Sequence, residues 1–223
     1  MANDLKTVQL ALPASRAQLA ALEIGSVAYL TGRLYTAREG VYKRAVEDGA
    51  GLPAPPDELG FANFHCSPAA TLNADGSASV GAVTATASFR FAKWLDGFFK
   101  LSRCNVIIGK GGMAADVYRR TFVPHEAVYL TTVGYGTGAL LGRGIRRVIA
   151  TYWTQELGLA QGIWVLEVAG FGPFLVDSDL AGNSLFEREN AKIAPHLARL
   201  YEGTKPATLR RYGETDDKSE ELI

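Results

Sequence analysis

Two arginines, a lysine set among glycines and a run of hydroxyl side chains are the residues of this chain best suited to chemistry. Arg38 and Arg90 each stand just inside the expected start of a helix. A cation there opposes the helix dipole, so a bound carboxylate joining the guanidinium fork to the helix end would account for it. Plain solvation at the surface would account for either arginine alone. In Gly109-Lys110-Gly111-Gly112 the glycines would let backbone amides approach an anion while the lysine adds a point charge. The G-x-x-x-x-G-K-S/T spacing of a nucleotide loop is missing, so the segment suits a small carboxylate or phosphate, or is an exposed lysine in a turn. Thr84, Thr86 and Ser88 alternate toward Arg90. Strand geometry would put their hydroxyls on one face, and exposed strand propensity explains the same pattern.

The segment Gly134-Tyr135-Gly136-Thr137-Gly138-Ala139 matches the G-x-G-x-x-A form of a dinucleotide fingerprint and follows an expected strand, with Glu156 further on. Gly142 and Gly144 interrupt the helix that should follow, which favours a glycine-rich turn packed close to its neighbours. His65, His125 and His196 share no spacing with a serine or aspartate that would make a catalytic triad, and they read as structural residues. Cys66 and Cys104, without a CxxC or a Cys/His cluster, read as small buried side chains.

The elements that must position these residues follow from periodicity. A helix capped by Ser15 runs to Leu22, and a strand follows over Val27 to Leu30. Thr36-Ala37-Arg38-Glu39 fits a capping box for a helix ending near Gly49. The proline-rich stretch from Gly51 to Gly60 is a loop. Short strands are expected over Phe61 to His65, Ala69 to Leu72 and Ala78 to Thr84, with a turn at Asn73 to Gly76. Phe91, Trp94, Leu95, Phe98 and Phe99 recur as one buried helical stripe. Strands are expected at Val106 to Ile108, Ala127 to Val133, Arg147 to Ala150, Gly162 to Val168 and Phe174 to Val176, with a helix from Ala114 to Arg119. Strands separated by helices favour an α/β chain with parallel crossovers. Ser184 to Glu187 fits a second capping box, opening a helix to Ile193, and Pro195 starts another toward Glu202.

Composition bounds the rest. The 223 residues, 48% of them apolar, suffice for a substantial core, and 23 basic residues cancel 23 acidic ones. With no global positive field, neither nucleic acid nor an anionic membrane is an expected partner. The start lacks a basic segment followed by an apolar run, and no membrane-length apolar stretch occurs. The chain is expected to be cytoplasmic, with one domain over 1–212 and a charged, disordered tail over 213–223.

Several blocks, in order, carry a resemblance: Tyr29-Leu30-Thr31-Gly32 with Thr36-Ala37-Arg38-Glu39, Ile108 to Met113, Tyr152-Trp153-Thr154 with Glu156-Leu157-Gly158, Ile163 to Val168 with Phe171-Gly172-Pro173, and Asp177 to Leu185. From about Leu22 to Asn190 they resemble the beta subunit of L-tartrate dehydratase and the C-terminal domain of class I fumarase. The resemblance implies a swivelling β/β/α domain, with a mixed sheet or small barrel-like β core flanked by helices. It also implies a hydro-lyase acting on fumarate, tartrate or a related dicarboxylate, active only with an alpha subunit that carries a 4Fe-4S cluster. The exposed iron would act as a Lewis acid on the substrate hydroxyl. On this side Arg38, Arg90 and Lys110 would grip carboxylates, while Thr86 would share in proton transfer, making Thr86 and Lys110 the catalytic pair. The implied assembly is a hetero-oligomer, or a homodimer when the chain is alone. Two positions depart from the pattern: Ala87 replaces the second threonine of "GPTTS.R", and Tyr42 stands where the family has histidine. A non-catalytic module that binds an anion or metabolite is the alternative these departures allow.

Overall fold

A computed structural model describes residues 5–75, 77–134 and 136–203. Its elements are β1 (Thr7–Ala11), α1 (Arg16–Ala20), β2 (Val27–Thr36), α2 (Glu39–Tyr42), α3 (Pro56–Leu59), β3 (Ala62–Phe64), β4 (Cys66–Leu72) and β5 (Ala78–Ala85). They continue with α4 (Leu95–Ser102), β6 (Val106–Gly109), α5 (Ala115–Val117), β7 (Val128–Thr132), α6 (Gly138–Arg143), β8 (Ile145–Tyr152), β9 (Ile163–Ser178) and α7 (Leu185–Tyr201). The expected tail over 213–223 lies outside the described residues. The contacts divide the chain after Arg188.

β1, β2, β3, β6 and β7 are parallel, and the long β9 runs antiparallel to β2, β7 and β8. Because β9 pairs with both β2 and β7, the strands β2, β3, β6, β7 and β9 close into a five-stranded barrel-like core. β4 and β5 form a separate antiparallel hairpin. β6 and β7 are buried along nearly their whole length, which is why they read as apolar runs. Leu30, Leu34, Phe64, Ile108, Leu130, Leu166 and Phe174 belong to one cluster. Their neighbours Tyr35, Ile107, Tyr129 and Val165 belong to a second cluster, with Phe91, Leu95, Phe98, Phe99 and Phe122 from the helical segments.

The stripe Phe91, Trp94, Leu95, Phe98, Phe99 is buried as its spacing predicts, although the first turns, Ser88–Trp94, are 3-10 in form before α4 begins. Gly97 is no weakness in α4. A Cβ there would stand 2.6 Å from Cγ1 of Val46, so the missing side chain admits the neighbouring helical turn.

Four expectations need correction. Thr36 caps no helix: it ends β2, its hydroxyl donating to the Gly162 carbonyl and accepting from the Trp164 amide, which locks β2 to β9. The helix after it starts from Arg38, whose side chain makes no capping bond. The strands expected at 162–168 and 174–176 are one strand, because bulges where β9 pairs with β2 and the positive φ of Gly170 let it curl around the barrel without breaking. Pro195 lies inside α7 rather than opening a new helix. β1, along the outer half of β2, was not evident from periodicity.

In the second part, α7 continues from Glu189 to Tyr201 with Ile193, Leu197, Leu200 and Tyr201 exposed. No described helix is long and apolar enough to cross a membrane.

Candidate active site

Parallel strands deliver the residues that follow them to one end of the barrel, where α/β folds usually carry their sites. Arg38 follows β2, His65 and Ser67 follow β3, Lys110 follows β6, and Thr132 ends β7. The chain leaving β5 crosses the same end. The Thr86 amide donates to the His65 carbonyl at 2.7 Å, the Lys110 amide to the Thr86 carbonyl at 3.2 Å, and the Ser88 amide to the Lys110 carbonyl at 3.2 Å. Thr86 to Ser88 is thereby stitched between the extensions of β3 and β6, with Ala87 bridged to Lys110.

Thr86 and Lys110 are therefore adjacent by backbone. Arg38 reaches the same rim: the Ala37 amide donates to the Phe64 carbonyl at 3.0 Å, and Nη1 of Arg38 donates to the Ser67 hydroxyl at 2.7 Å. That hydroxyl donates in turn to the Ala160 carbonyl at 2.9 Å. Ser67 pairs across the hairpin with Thr84, on the strand that leads to Thr86. Nε of Arg38 is buried and has no hydrogen-bond partner among the described residues. An orphan donor of this kind costs about 1–3 kcal/mol unless a ligand satisfies it. Arg90 is exposed on the Ser88–Trp94 turn, its guanidinium 5.8 Å from the Phe91 ring centroid. It is tied to Thr86 and Lys110 through the shared segment.

Thr84, Thr86 and Ser88 do not share a face. β5 ends at Ala85, after which Thr84 remains exposed, Thr86 is half-buried and Ser88 turns into the interior. The glycine-rich segment near residue 136 is a packing device rather than a dinucleotide fingerprint. A Cβ at Gly138 would lie 2.9 Å from the Val83 carbonyl oxygen, and one at Gly142 would lie 2.3 Å from that of Gly81, so α6 can rest flat on β5. Thr84, Lys110, Thr132, Gly134 and Thr137 line a cavity of about 270 Å³ beside the rim.

Two buried polar groupings support the rim. Under the Gly109 to Met113 turn, the Tyr118 hydroxyl accepts the Met113 amide at 2.9 Å and donates to Oδ2 of Asp177. Asp177 also accepts from the Ser184 hydroxyl and the Phe186 amide, each at 3.4 Å. Burial raises the pKa of this carboxyl, and its hydrogen bonds oppose the rise. Gly112 is required here, since a Cβ would stand 2.7 Å from Oδ2 of Asp177. Under Thr86 to Arg90, His65 is fully buried between the Tyr42 and Ser88 hydroxyls, 2.7 Å from each. Tyr42 stacks on Phe91 at 5.2 Å, and His65 meets the same ring edge-on at 4.8 Å, contacts worth about 0.5–1.5 kcal/mol each beyond burial. The departure at Tyr42 thus leaves an imidazole beside it, contributed by His65. The sequence marks His65 only as a structural residue and gives Asp177 no supporting role, because Tyr42 and Ser88 around the one and Tyr118 beside the other are remote in the chain. The only signal was a polar residue inside an apolar run.

The thiols do not suit an iron–sulfur cluster. Cys66 and Cys104 are both buried, and burial pushes the Cys104 thiol up to about 11 and Cys66 higher still, whereas a cluster ligand must be a thiolate. Among the described residues no group of three or more His, Cys, Asp or Glu side chains could hold a metal ion.

Residues 1–189 match the family model described as Fumarase C-terminus. The chain is 34% identical over 180 residues to a putative L(+)-tartrate dehydratase subunit beta of Methanocaldococcus jannaschii, covering 80% of this chain and 91% of that one. It is 31% identical over 184 residues to the L(+)-tartrate dehydratase subunit beta of Escherichia coli K12, covering 82% and 88%. A putative class I fumarate hydratase of Geobacillus stearothermophilus is 28% identical over 185 residues, 83% of this chain but 34% of that longer protein.

Proposed function

The chain belongs to the fumarase C-terminus family, and from that premise we propose that it is the beta subunit of a hydro-lyase that adds water to, or removes it from, a small dicarboxylate. The observation that supports this reading is that Thr86, Lys110 and Arg38 all stand at the carboxyl end of the barrel strands, Arg38 with a buried Nε that has no hydrogen-bond partner among the described residues.

In this reading Arg38 and Lys110 hold the carboxylates of the substrate, and Arg90 captures a carboxylate from the exposed edge. Fixed cations around a diacid orient it and stabilise the extra charge that develops when the proton beside a carboxylate is removed. The Thr86 hydroxyl, beside Lys110, takes part in moving that proton. The family is iron–sulfur dependent. Since the thiols of this chain do not fit a cluster, we assign it to a partner alpha subunit, with a hetero-oligomer as the working enzyme. Two unpaired thiols also suit a reducing compartment, the cytoplasm.

The test is to co-express the chain with a cluster-bearing partner, purify the complex anaerobically and assay fumarate, mesaconate and tartrate. Turnover of one of them is expected. Wild-type turnover by an Arg90→Ala, Lys110→Ala complex would overturn the clamp. Saturable tartrate binding with no turnover would make the chain a binding module.

A further inference from the structure

Five buried side chains beneath the Thr86–Arg90 segment form one directed hydrogen-bond chain. Tyr129 donates its hydroxyl proton to Oγ of Ser88 at 2.8 Å. Oγ of Ser88 lies 2.7 Å from Nδ1 of His65, and Nε2 of His65 lies 2.7 Å from the Tyr42 hydroxyl. Tyr42 donates to Oδ1 of Asn63 at 2.9 Å, and Nδ2 of Asn63 donates to the Tyr35 carbonyl at 3.2 Å. All five are fully buried, so their polar protons need acceptors supplied by the protein.

Counting donors leaves one tautomer. The single proton of Tyr42 goes to Asn63, so the Tyr42 oxygen must accept from a protonated Nε2. Nδ1 is then bare and accepts the Ser88 proton, while the Ser88 oxygen accepts that of Tyr129. A proton on Nδ1 would turn the Ser88 hydroxyl toward the Tyr129 oxygen and leave the Tyr129 proton without the acceptor it has here.

We propose that His65, as the Nε2-protonated tautomer, is a positioning residue for the active site: its bare Nδ1 holds Ser88, and through Ser88 it holds Thr86 and Lys110. The term active site here rests on the hydro-lyase reading above. The mechanical link is on the backbone, because the Ser88 amide donates to Lys110 and the Lys110 amide to Thr86, so a turn of Ser88 displaces both. Gly109 completes the device. A Cβ at this position would lie 1.8 Å from Oγ of Ser88 and 2.7 Å from the Tyr129 hydroxyl, so only glycine lets the serine cross β6 to reach the imidazole. Burial lowers the imidazole pKa to about 3, which keeps it in the neutral form that the chain of bonds requires.

The decisive comparison is between two amides at the same position. The oxygen of His65→Asn falls where Nδ1 was and can still accept from Ser88. The amide of His65→Gln reaches the place of Nε2 and loses Ser88. In the complex with its cluster-bearing partner, kcat/KM is expected to stay within about threefold of wild type for His65→Asn and to fall about 100-fold for His65→Gln and for Ser88→Ala. The His65→Gln, Ser88→Ala double variant should fall no further than either single one, because both remove one hold. Ser88→Ala leaves the histidine in place and reads the same loss should His65→Gln fold poorly. A merely structural role would make the two amide variants lose activity alike and in step with their thermal stability.

A second readout needs no turnover. In the full chain alone, the Ser88 and Lys110 amides should exchange with solvent about tenfold faster in His65→Gln than in His65→Asn. If the wild-type complex turns over no dicarboxylate while this pattern appears, the hydro-lyase reading fails and the hold on the anion-facing segment stands. Equal exchange in the two variants, or equal activity losses, overturns the proposal.

Discussion

The Tyr118 hydroxyl donates to Oδ2 of Asp177 at 2.5 Å while accepting the backbone amide of Met113, so one side chain fastens the glycine-rich turn of Lys110 to the end of β9. Removing that hydroxyl with Tyr118→Phe strands a buried carboxylate oxygen and a buried amide together. A loss of about 2–4 kcal/mol in unfolding free energy is expected. The loss should shrink as the pH falls toward the raised pKa of Asp177, because a protonated carboxyl no longer needs this donor. Urea unfolding at two pH values measures both.

Gly109→Ala and Gly111→Ala should separate two reasons for glycine. At Gly109 the added carbon would collide with the Ser88 and Tyr129 hydroxyls, whereas at Gly111 nothing lies within 4 Å and only the φ of +68° resists a side chain. Losses of about 2–3 kcal/mol are expected for Gly109→Ala and about 1 kcal/mol for Gly111→Ala. Paired denaturation curves decide it.

The buried imidazole makes stability depend on pH with a definite sign. The pKa of His65 in the folded chain is about 3 against 6.5 when exposed, so the unfolded state binds the extra proton between those values. The full stability is present above about pH 6.5 and is lost as pH falls, by up to about 1.4 kcal/mol per unit. His65→Asn lacks this titration. The difference in unfolding free energy between wild type and variant, followed from pH 7.5 down to about 4, should carry that slope and cancels the opposing contribution of Asp177, which both share.

Arg38→Ala should weaken tartrate binding about 10- to 100-fold by calorimetry, since a charged hydrogen-bonding group contributes about 1.5–3 kcal/mol. Arg38→Lys is not expected to restore it. An ammonium cannot supply both the bond to Ser67 and the Nε donor that lacks a partner.

Kinetics should distinguish the exposed cation from the built-in one. Arg90→Ala is expected to raise KM about tenfold with kcat little changed, because an exposed guanidinium holds ground state and transition state alike. Lys110→Ala should lower kcat by about 100-fold or more, as loss of an oriented charge at the reacting end does. Steady-state rates of the partnered enzyme separate the two.

The aromatic stripe of Phe91 to Phe99 and the apolar barrel strands were legible because local periodicity and burial agree there. Thr36 misled because its hydroxyl serves a strand more than a hundred residues away rather than the adjacent helix. β9 read as two strands because Gly170, Gly172 and Pro173 are local breakers, and only the bulged pairing with β2 makes them continuous. Of the candidate residues, Thr86 and Lys110 are backbone neighbours and Arg38 follows β2 at the same end of the barrel, whereas the face supposed for Thr84, Thr86 and Ser88 does not exist beyond Ala85. Chemistry confined to charged and hydroxyl types at the surface could be guessed from the residues alone. The supports beneath it, His65 and Asp177, acquire meaning only from neighbours far along the chain.

The strand that closes the barrel is the last one made. β2 has to wait for Ile163–Ser178 before its second edge is covered, and β7 waits for the same segment. A nascent chain that has emerged only through β8 therefore exposes two unpaired, apolar strand edges to whatever else is in the cell. Fragments that stop short of residue 178 lack part of this pairing and keep strand edges open.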